Sequence, residues 1–242
     1  MGFLIGLGTA LVTGIKAAGA FIFGAAAKIG PVMSAFAGKA LEVMARIPKI
    51  DLEGVGKAIE AVGGIVHSVA GCVGVESEDE PEILGAKAEQ AEKGIADFDE
   101  DVEAYIRYLN QEIKLDEEKF EQMSAEKKMG CGAVGTALEV KAIEGKIGDI
   151  EIAPEVIALL AKIQLKGEGI SFSAEELVGL IKDLKAAGIT NLKDVVDLLE
   201  GNGDRSRIRT EVALEKALGN IDRIDDPVQE LDAIERTIRQ SD

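Results

Sequence analysis

Apolar and polar residues along this chain recur mostly at the three- and four-residue spacing of α-helices, and the alternation typical of half-buried strands is missing almost everywhere. Residues 2–29 are apolar almost all the way round, with Lys16 and Lys28 as the only charges. This pattern predicts a helix that is buried or that contacts another apolar body. The pair Gly30-Pro31 then predicts a kink or a break, because proline lacks the amide proton that a helix interior needs.

The polar pattern sharpens after this kink. A second apolar helix is expected over residues 32–47, and an amphipathic helix over residues 49–70, where the charged side chains form one stripe. Residues 71–82 change abruptly from glycine and valine to acidic residues and proline, which indicates a domain boundary. We therefore predict a Gly/Ala-rich apolar helical domain over residues 1–75 and an acidic α-helical domain over residues 76–242.

The acidic part has the pattern of consecutive short helices. Ser124 and Ser173 stand where N-cap residues are expected, and Glu176 completes a capping box with Ser173. Asn191 is the expected N-cap of a later helix. The predicted helices span residues 82–95, 98–113, 116–123, 125–147, 154–164, 174–187, 192–200, 205–219 and 226–240. The predicted fold class is all-α: Gly/Ala-rich apolar N-terminal helices followed by an acidic bundle of short helices.

Small residues recur at every fourth position of the N-terminal segment, with Ile22 as the single interruption. In a helix this spacing aligns them along one ridge, which allows another backbone to approach closely. The ridge comprises Gly2, Gly6, Ala10, Gly14, Ala18, Ala26, Gly30, Ser34 and Gly38. Lys16 and Lys28 lie roughly 200° away around the helix, where they are expected to meet polar groups or lipid headgroups. We predict that the ridge mediates contact between copies and that Gly30 and Pro31 form a hinge.

Charge is distributed unevenly between the two predicted domains. The chain carries 27 basic and 44 acidic side chains, a net charge of −17, and none of the acidic residues falls within the first 41 positions. Residues 1–75 hold six basic and four acidic groups, which leaves −19 for the remainder. Nucleic acid binding needs concentrated Lys and Arg, so no nucleic acid partner is expected for the acidic domain.

Residue types that perform catalysis or bind metals are few and scattered. The single histidine, His67, has no acidic residue beside it in the sequence, and two distant cysteines, Cys72 and Cys131, give no zinc-binding spacing. We interpret both cysteines as buried small hydrophobes. The glycine run at 130–136 lacks the lysine of a phosphate loop, and residues 202–213 lack the glycine and closing glutamate of a calcium loop. The sequence therefore predicts no enzyme, no cofactor, no metal and no small-molecule substrate.

Two functions of different kinds remain open. In the first, the protein is a non-enzymatic, membrane-interacting homo-oligomer: residues 1–47 insert as two hinged helices and copies associate, as in pore-forming toxins, effectors or delivery proteins. In the second, it is a structural subunit of a phage-like particle or of an injection or secretion apparatus, with the same helices buried in protein contacts. An ordinary intramolecular core is a third interpretation of the N-terminal segment.

The charge pattern separates these two functions only weakly. Lysines without neighbouring acids favour attraction to anionic lipid. The longest charge-free runs, residues 1–15, 17–27 and 29–38, fall short of the roughly 18 residues of a simple membrane span and favour burial in protein. We expect a chain that is made soluble or particle-associated and is then delivered to a membrane.

Overall fold

The fold is built from helices. The computed structural model describes the backbone of residues 2–166, 171–202 and 207–239, and their side chains apart from residues 2–9 and 166. It is 75% helical, and within these residues it has eleven α-helices, one short 3-10 helix and no β-strand. The all-α fold class is thus confirmed, and so is a long apolar helix at the N-terminus.

The helix bounds lie close to those that the sequence predicts. In chain order they are α1 (Gly2–Met44), α2 (Leu52–Cys72), α3 (Pro81–Gln90), α4 (Val102–Glu112), α5 (Glu117–Glu121), α6 (Ala125–Ile147), α7 (Pro154–Lys166), α8 (Ala174–Ala186), α9 (Lys193–Leu199), α10 (Arg207–Leu218) and α11 (Pro227–Arg239). The largest difference falls in residues 82–95, predicted as one helix. There α3 ends at Gln90, and a 3-10 helix at Ile95–Phe98 leads into α4.

The long first helix is kinked where the sequence predicts it. Gly30 has φ 77° and ψ 163°, a backbone conformation that side chains with a Cβ adopt only under strain. Pro31 follows directly and leaves one backbone carbonyl without its helical donor. The kink is a fixed feature of the fold, whereas motion about it, the hinge role of Gly30 and Pro31, stays a prediction.

The predicted N-caps account for several helix starts. Ser124 caps α6, and at α8 the Ser173 Oγ accepts a hydrogen bond from the Glu176 main-chain N–H at 3.1 Å. Glu176 returns the contact, because its Oε2 accepts the Ser173 N–H at 2.8 Å. Asn191 lies one position further from its helix than predicted. Its Oδ1 accepts the Lys193 N–H at 2.9 Å, but the residue directly before α9 is Leu192.

Helix α6 lies at the centre of the fold and packs against α1, α2 and α3. A Cβ added at Gly135 would lie 1.8 Å from the carbonyl oxygen of Pro81 in α3. In the reverse direction, a Cβ added at Gly85 of α3 would lie 2.0 Å from the carbonyl oxygen of Cys131. The two backbones touch, so nothing larger than hydrogen fits. The glycine run at 130–136 is therefore a helix-packing surface, the interpretation preferred over a phosphate loop.

Packing crosses the compositional boundary at residue 76. Helices α1 and α2, from the apolar N-terminal part, pack on α6 and α7 of the acidic part. Their buried side chains join the same hydrophobic core as those of the later helices. The division into 1–75 and 76–242 is thus a difference of composition, and its meaning as two folding units stays a prediction.

Candidate functional site

Helix α1 presents two apolar faces with opposite environments. The inner face is buried in the core, whereas the outer face is exposed along the side of the molecule. Two neighbouring residues show the contrast: Ile22 is 2% exposed and Phe23 is 81% exposed. We define the outer face by the exposed residues Val12, Lys16, Ala20, Phe23, Gly24, Ala27 and Val32. From Val12 to Ala27 it extends for about 23 Å along the helix axis, and Val32 lies beyond the kink at Gly30.

Exposure on this scale is unusual for large apolar side chains. Val12 is 53% exposed and Val32 is 64% exposed. Together with Phe23, they are the largest apolar side chains of the outer face. Single exposed hydrophobic residues are common on protein surfaces, but several on one acid-free helix face are typical of an interaction site. The outer face is therefore our candidate functional site.

The small-residue ridge is predicted to contact another copy. Part of it packs instead against other helices of the same chain. Gly14 is buried, and a Cβ added there would lie 2.5 Å from the side chain of Leu52 in α2. Ala18 is fully buried, and its carbonyl oxygen would lie 3.4 Å from a Cβ added at Gly130 of α6. At these positions the ridge serves helix contact inside the molecule. The opposite face of α1 is left exposed.

The other ridge residues vary in exposure. Ala10 is exposed, whereas Ala26 and Gly30 are half-buried. Gly2 and Gly6 lie outside the residues whose side-chain positions the structure describes. The sequence of α1 is apolar all round, so periodicity alone cannot tell which of its faces meets the core. Close approach of α2 and α6 decides the matter, because it requires small residues on the inner face.

The two lysines of α1 have different environments. Lys16 is exposed on the outer face, and no charged partner contacts it within the described part of the chain. Lys28 is half-buried and its Nζ donates a hydrogen bond to the main-chain oxygen of Glu92. Of the two residues predicted to meet polar groups or headgroups, Lys16 is therefore the one with a free ammonium group.

The segment Ala10–Met44 of α1 is long and apolar enough to cross a membrane, as judged by length and composition. Within the residues described it is the one helix that meets both conditions. Its most apolar stretch is only 22% buried, whereas the core helix of a soluble protein is mostly buried. The low burial agrees with the exposed outer face.

A charged pair that the sequence did not reveal lies between α2 and α6. His67 Nδ1 is 2.7 Å from Glu139 Oε1. The Glu139 side chain is 0% exposed, and its second oxygen, Oε2, is buried without a hydrogen-bond partner among the described residues. The His67 side chain is 25% exposed. The imidazole is thus the main polar contact of a buried carboxyl group.

This environment raises the pKa of both groups. Burial raises the pKa of Glu139, because the anion loses its hydration. The hydrogen bond to Glu139 raises the pKa of His67, and the nearby carboxylates of Glu80 and Asp79 raise it further. Both changes favour the proton-bound forms, so the folded chain holds protons here at a pH where the unfolded chain has released them.

The pair escaped the sequence interpretation because its members are 72 residues apart. One signal was present. Glu139 is the only acidic residue in the otherwise apolar and glycine-rich run 129–140. An isolated acid in such a run points to a buried carboxyl group that needs a partner, and the single histidine of the chain was the natural candidate.

Within the described residues, no three His, Cys, Asp or Glu side chains are placed to hold a metal ion. Cys131 is buried, as expected, and both thiols are free. Cys72 is exposed, with its Sγ 3.6 Å from Glu175 Oε1, so the expectation that it is buried is wrong. It is the last residue of α2, where the helix leaves the core.

Comparisons of this chain with protein-family models, with curated proteins and with solved structures found no match.

Proposed function

We propose that this protein binds lipid membranes through the outer face of α1 and that, in the bound state, α1 inserts and associates with α1 of other copies. The observation that carries the proposal is the exposed, acid-free apolar surface from Val12 to Val32. Transfer of apolar side chains such as Phe23 into the acyl region is favourable by about 25 cal/mol for each Å² of apolar surface that leaves water. The proposal assigns the protein no catalytic reaction.

The charge distribution supports a lipid surface as the partner. Lys16 projects from the outer face, and a lysine near an anionic bilayer contributes about 1 kcal/mol. The remainder of the chain after residue 75 carries a net charge of −19, which the same bilayer repels. Attraction at one face and repulsion elsewhere would orient the molecule with α1 toward the lipid.

Insertion is a second step, because it separates α1 from its own core. Ile29 and Leu41 of the inner face are buried in that core. Lipid tails are as apolar as these partners, so the inner face loses little by moving into a bilayer. The kink at Gly30 already divides α1 into two segments, which suits entry as two helices. Surface binding requires none of these changes and therefore comes first.

One observation favours the alternative, a structural subunit whose α1 is buried in protein contacts. Ala20, Gly24 and Ala27 are small, exposed and spaced by four and three residues. A Cβ added at Gly24 would meet nothing within 4 Å, so the fold of this chain does not require glycine there. A second helix could approach this strip closely, either in a protein assembly or inside a bilayer.

Flotation with anionic liposomes tests the proposal through Phe23→Glu. We expect the full-length parent to float, and the variant to bind at least about tenfold more weakly, since burial of a Phe side chain contributes about 1.5–3 kcal/mol. Ile208→Glu is the matched control: Ile208 is 74% exposed on α10, so the change removes a similar side chain and adds the same charge elsewhere. Equal binding by Phe23→Glu and parent would contradict membrane contact by this face.

The charge contribution is tested by Lys16→Gln, with Lys28→Gln as its control. We expect Lys16→Gln to weaken binding to anionic liposomes about fivefold, and to leave binding to zwitterionic liposomes unchanged. Lys28→Gln should have a smaller effect, because the Lys28 ammonium group is already hydrogen-bonded to Glu92.

Light scattering of the parent without lipid tests the alternative function. Large assemblies that do not bind liposomes, and that dissociate in Phe23→Glu, would favour the structural subunit.

A further inference from the structure

A cavity of about 150 Å³, partly open to the surface, lies between the helices of the bundle, away from the outer face of α1. Side chains from α2 and from α6 to α11 line it, together with Ile152, Phe172 and Leu192 from the linkers between these helices. Every lining residue is Val, Leu or Ile apart from Phe172, and no polar atom of the described residues reaches its surface. The cavity thus has a wall of hydrocarbon only.

An empty space of this size is uncommon in a folded chain. Protein interiors are packed as densely as organic crystals, and voids larger than one water molecule are few. Water inside the cavity would find on its wall none of the two to four polar partners that hold buried water. Small changes in sequence would have closed it, since Val69, Val140 and Val196 all line it and each is smaller than leucine. The wall of the cavity therefore suits an apolar occupant.

We infer that this cavity binds an uncharged hydrocarbon group of about six carbon atoms, either as a free small molecule or as the end of an acyl chain. A dry cavity of about 150 Å³ lined by aliphatic and aromatic side chains is large enough for benzene. A charged or hydroxyl-bearing group is excluded from the interior, because it would be buried without a hydrogen-bond partner. The wall alone thus selects hydrocarbon against polar molecules of the same size.

Thermal unfolding of the full chain with benzene and with phenol tests this inference. Benzene at about ten times its Kd should raise Tm by about 4 °C, because it binds the folded chain only. Phenol has nearly the same shape, but its hydroxyl group would be unsatisfied, so we expect a much smaller shift. No shift with benzene, or equal shifts with the two compounds, would overturn the inference.

Cavity-filling variants provide the control on location. Val196→Leu should abolish the benzene shift, because the added methylene occupies the space, and Val140→Ile should reduce it in the same way if Val196→Leu does not fold. Val212→Leu, at an exposed position of α10, should leave the shift unchanged. A benzene shift that persists in both filled variants would place the ligand elsewhere and overturn the assignment.

Decanoate below its micellar concentration distinguishes the two sources of the hydrocarbon. A Tm increase with decanoate that Val196→Leu also abolishes would identify an acyl-chain end as the occupant, with the carboxylate left outside the cavity. Stabilisation by benzene without stabilisation by decanoate would identify a free small hydrocarbon.

Discussion

Gly135→Ala is expected to lower the free energy of unfolding by about 3 kcal/mol or more. The reason is local and steric. A Cβ at this position would lie 1.8 Å from the carbonyl oxygen of Pro81, which is backbone and cannot rotate away. Relief requires α3 to move off α6, and this movement also disturbs the neighbouring contact between Gly85 and Cys131. Urea unfolding followed by circular dichroism measures the loss.

Gly145→Ala is the matched control in the same helix. Gly145 is exposed, and a Cβ added there meets nothing within 4 Å. Alanine should therefore stabilise the chain by about 0.5–1 kcal/mol, through helix propensity and reduced freedom of the unfolded state. If Gly135→Ala stabilised the protein as Gly145→Ala does, the close contact of α3 with α6 would be wrong.

The helices of this fold were predictable because their signals are local. Ser124 and Ser173 cap their own helices, and the Gly30-Pro31 pair kinks α1 without help from distant residues. Where local signals were weak, the bounds failed. Asp99 and Glu100 both have positive φ, at 53° and 62°, and the loop that they form precedes α4 inside a segment predicted to be helical.

The sequence could not show which side of α1 is buried and which is exposed. Ile22 and Phe23 are adjacent and equally apolar, so no sequence pattern distinguishes the buried one from the exposed one. The outcome depends on which face fits α2 and α6, and this is set by tertiary packing. The contact of His67 with Glu139 and the apolar cavity also depend on tertiary packing, since each brings together residues far apart in the chain.

The placement of small residues gives α1 two separate uses. Gly14 and Ala18 allow α2 and α6 to approach from inside, while Ala20 and Gly24 leave a shallow strip outside. A helix that is small on both sides can keep its place in the core and still offer a surface to lipid or to a second copy. Binding at the membrane surface and the core packing therefore use different residues of α1, whereas insertion would take the inner face out of the core.

His67→Ala is expected to lower the free energy of unfolding by about 2–4 kcal/mol near neutral pH. The substitution leaves the Glu139 carboxyl group buried and removes the hydrogen-bond partner of its Oε1, while Oε2 already has none among the described residues. His67→Gln is the control, because an amide in the same place can still donate a hydrogen bond to Glu139. We expect it to recover much of the stability, which would separate the loss of a partner from the loss of the ring.

The same pair fixes the sign of a pH dependence. The pKa of His67 is raised in the folded chain above its ordinary value of 6.5, so its contribution is complete below that pH and is lost as pH rises through the folded pKa. The raised pKa of Glu139 acts in the same direction, because its buried anion is disfavoured at higher pH. Urea midpoints measured from about pH 6 to about pH 9 should therefore fall for the parent, and the part of this fall that comes from the imidazole should be missing in His67→Gln. A parent midpoint that rises over this range would contradict a proton held by the buried pair.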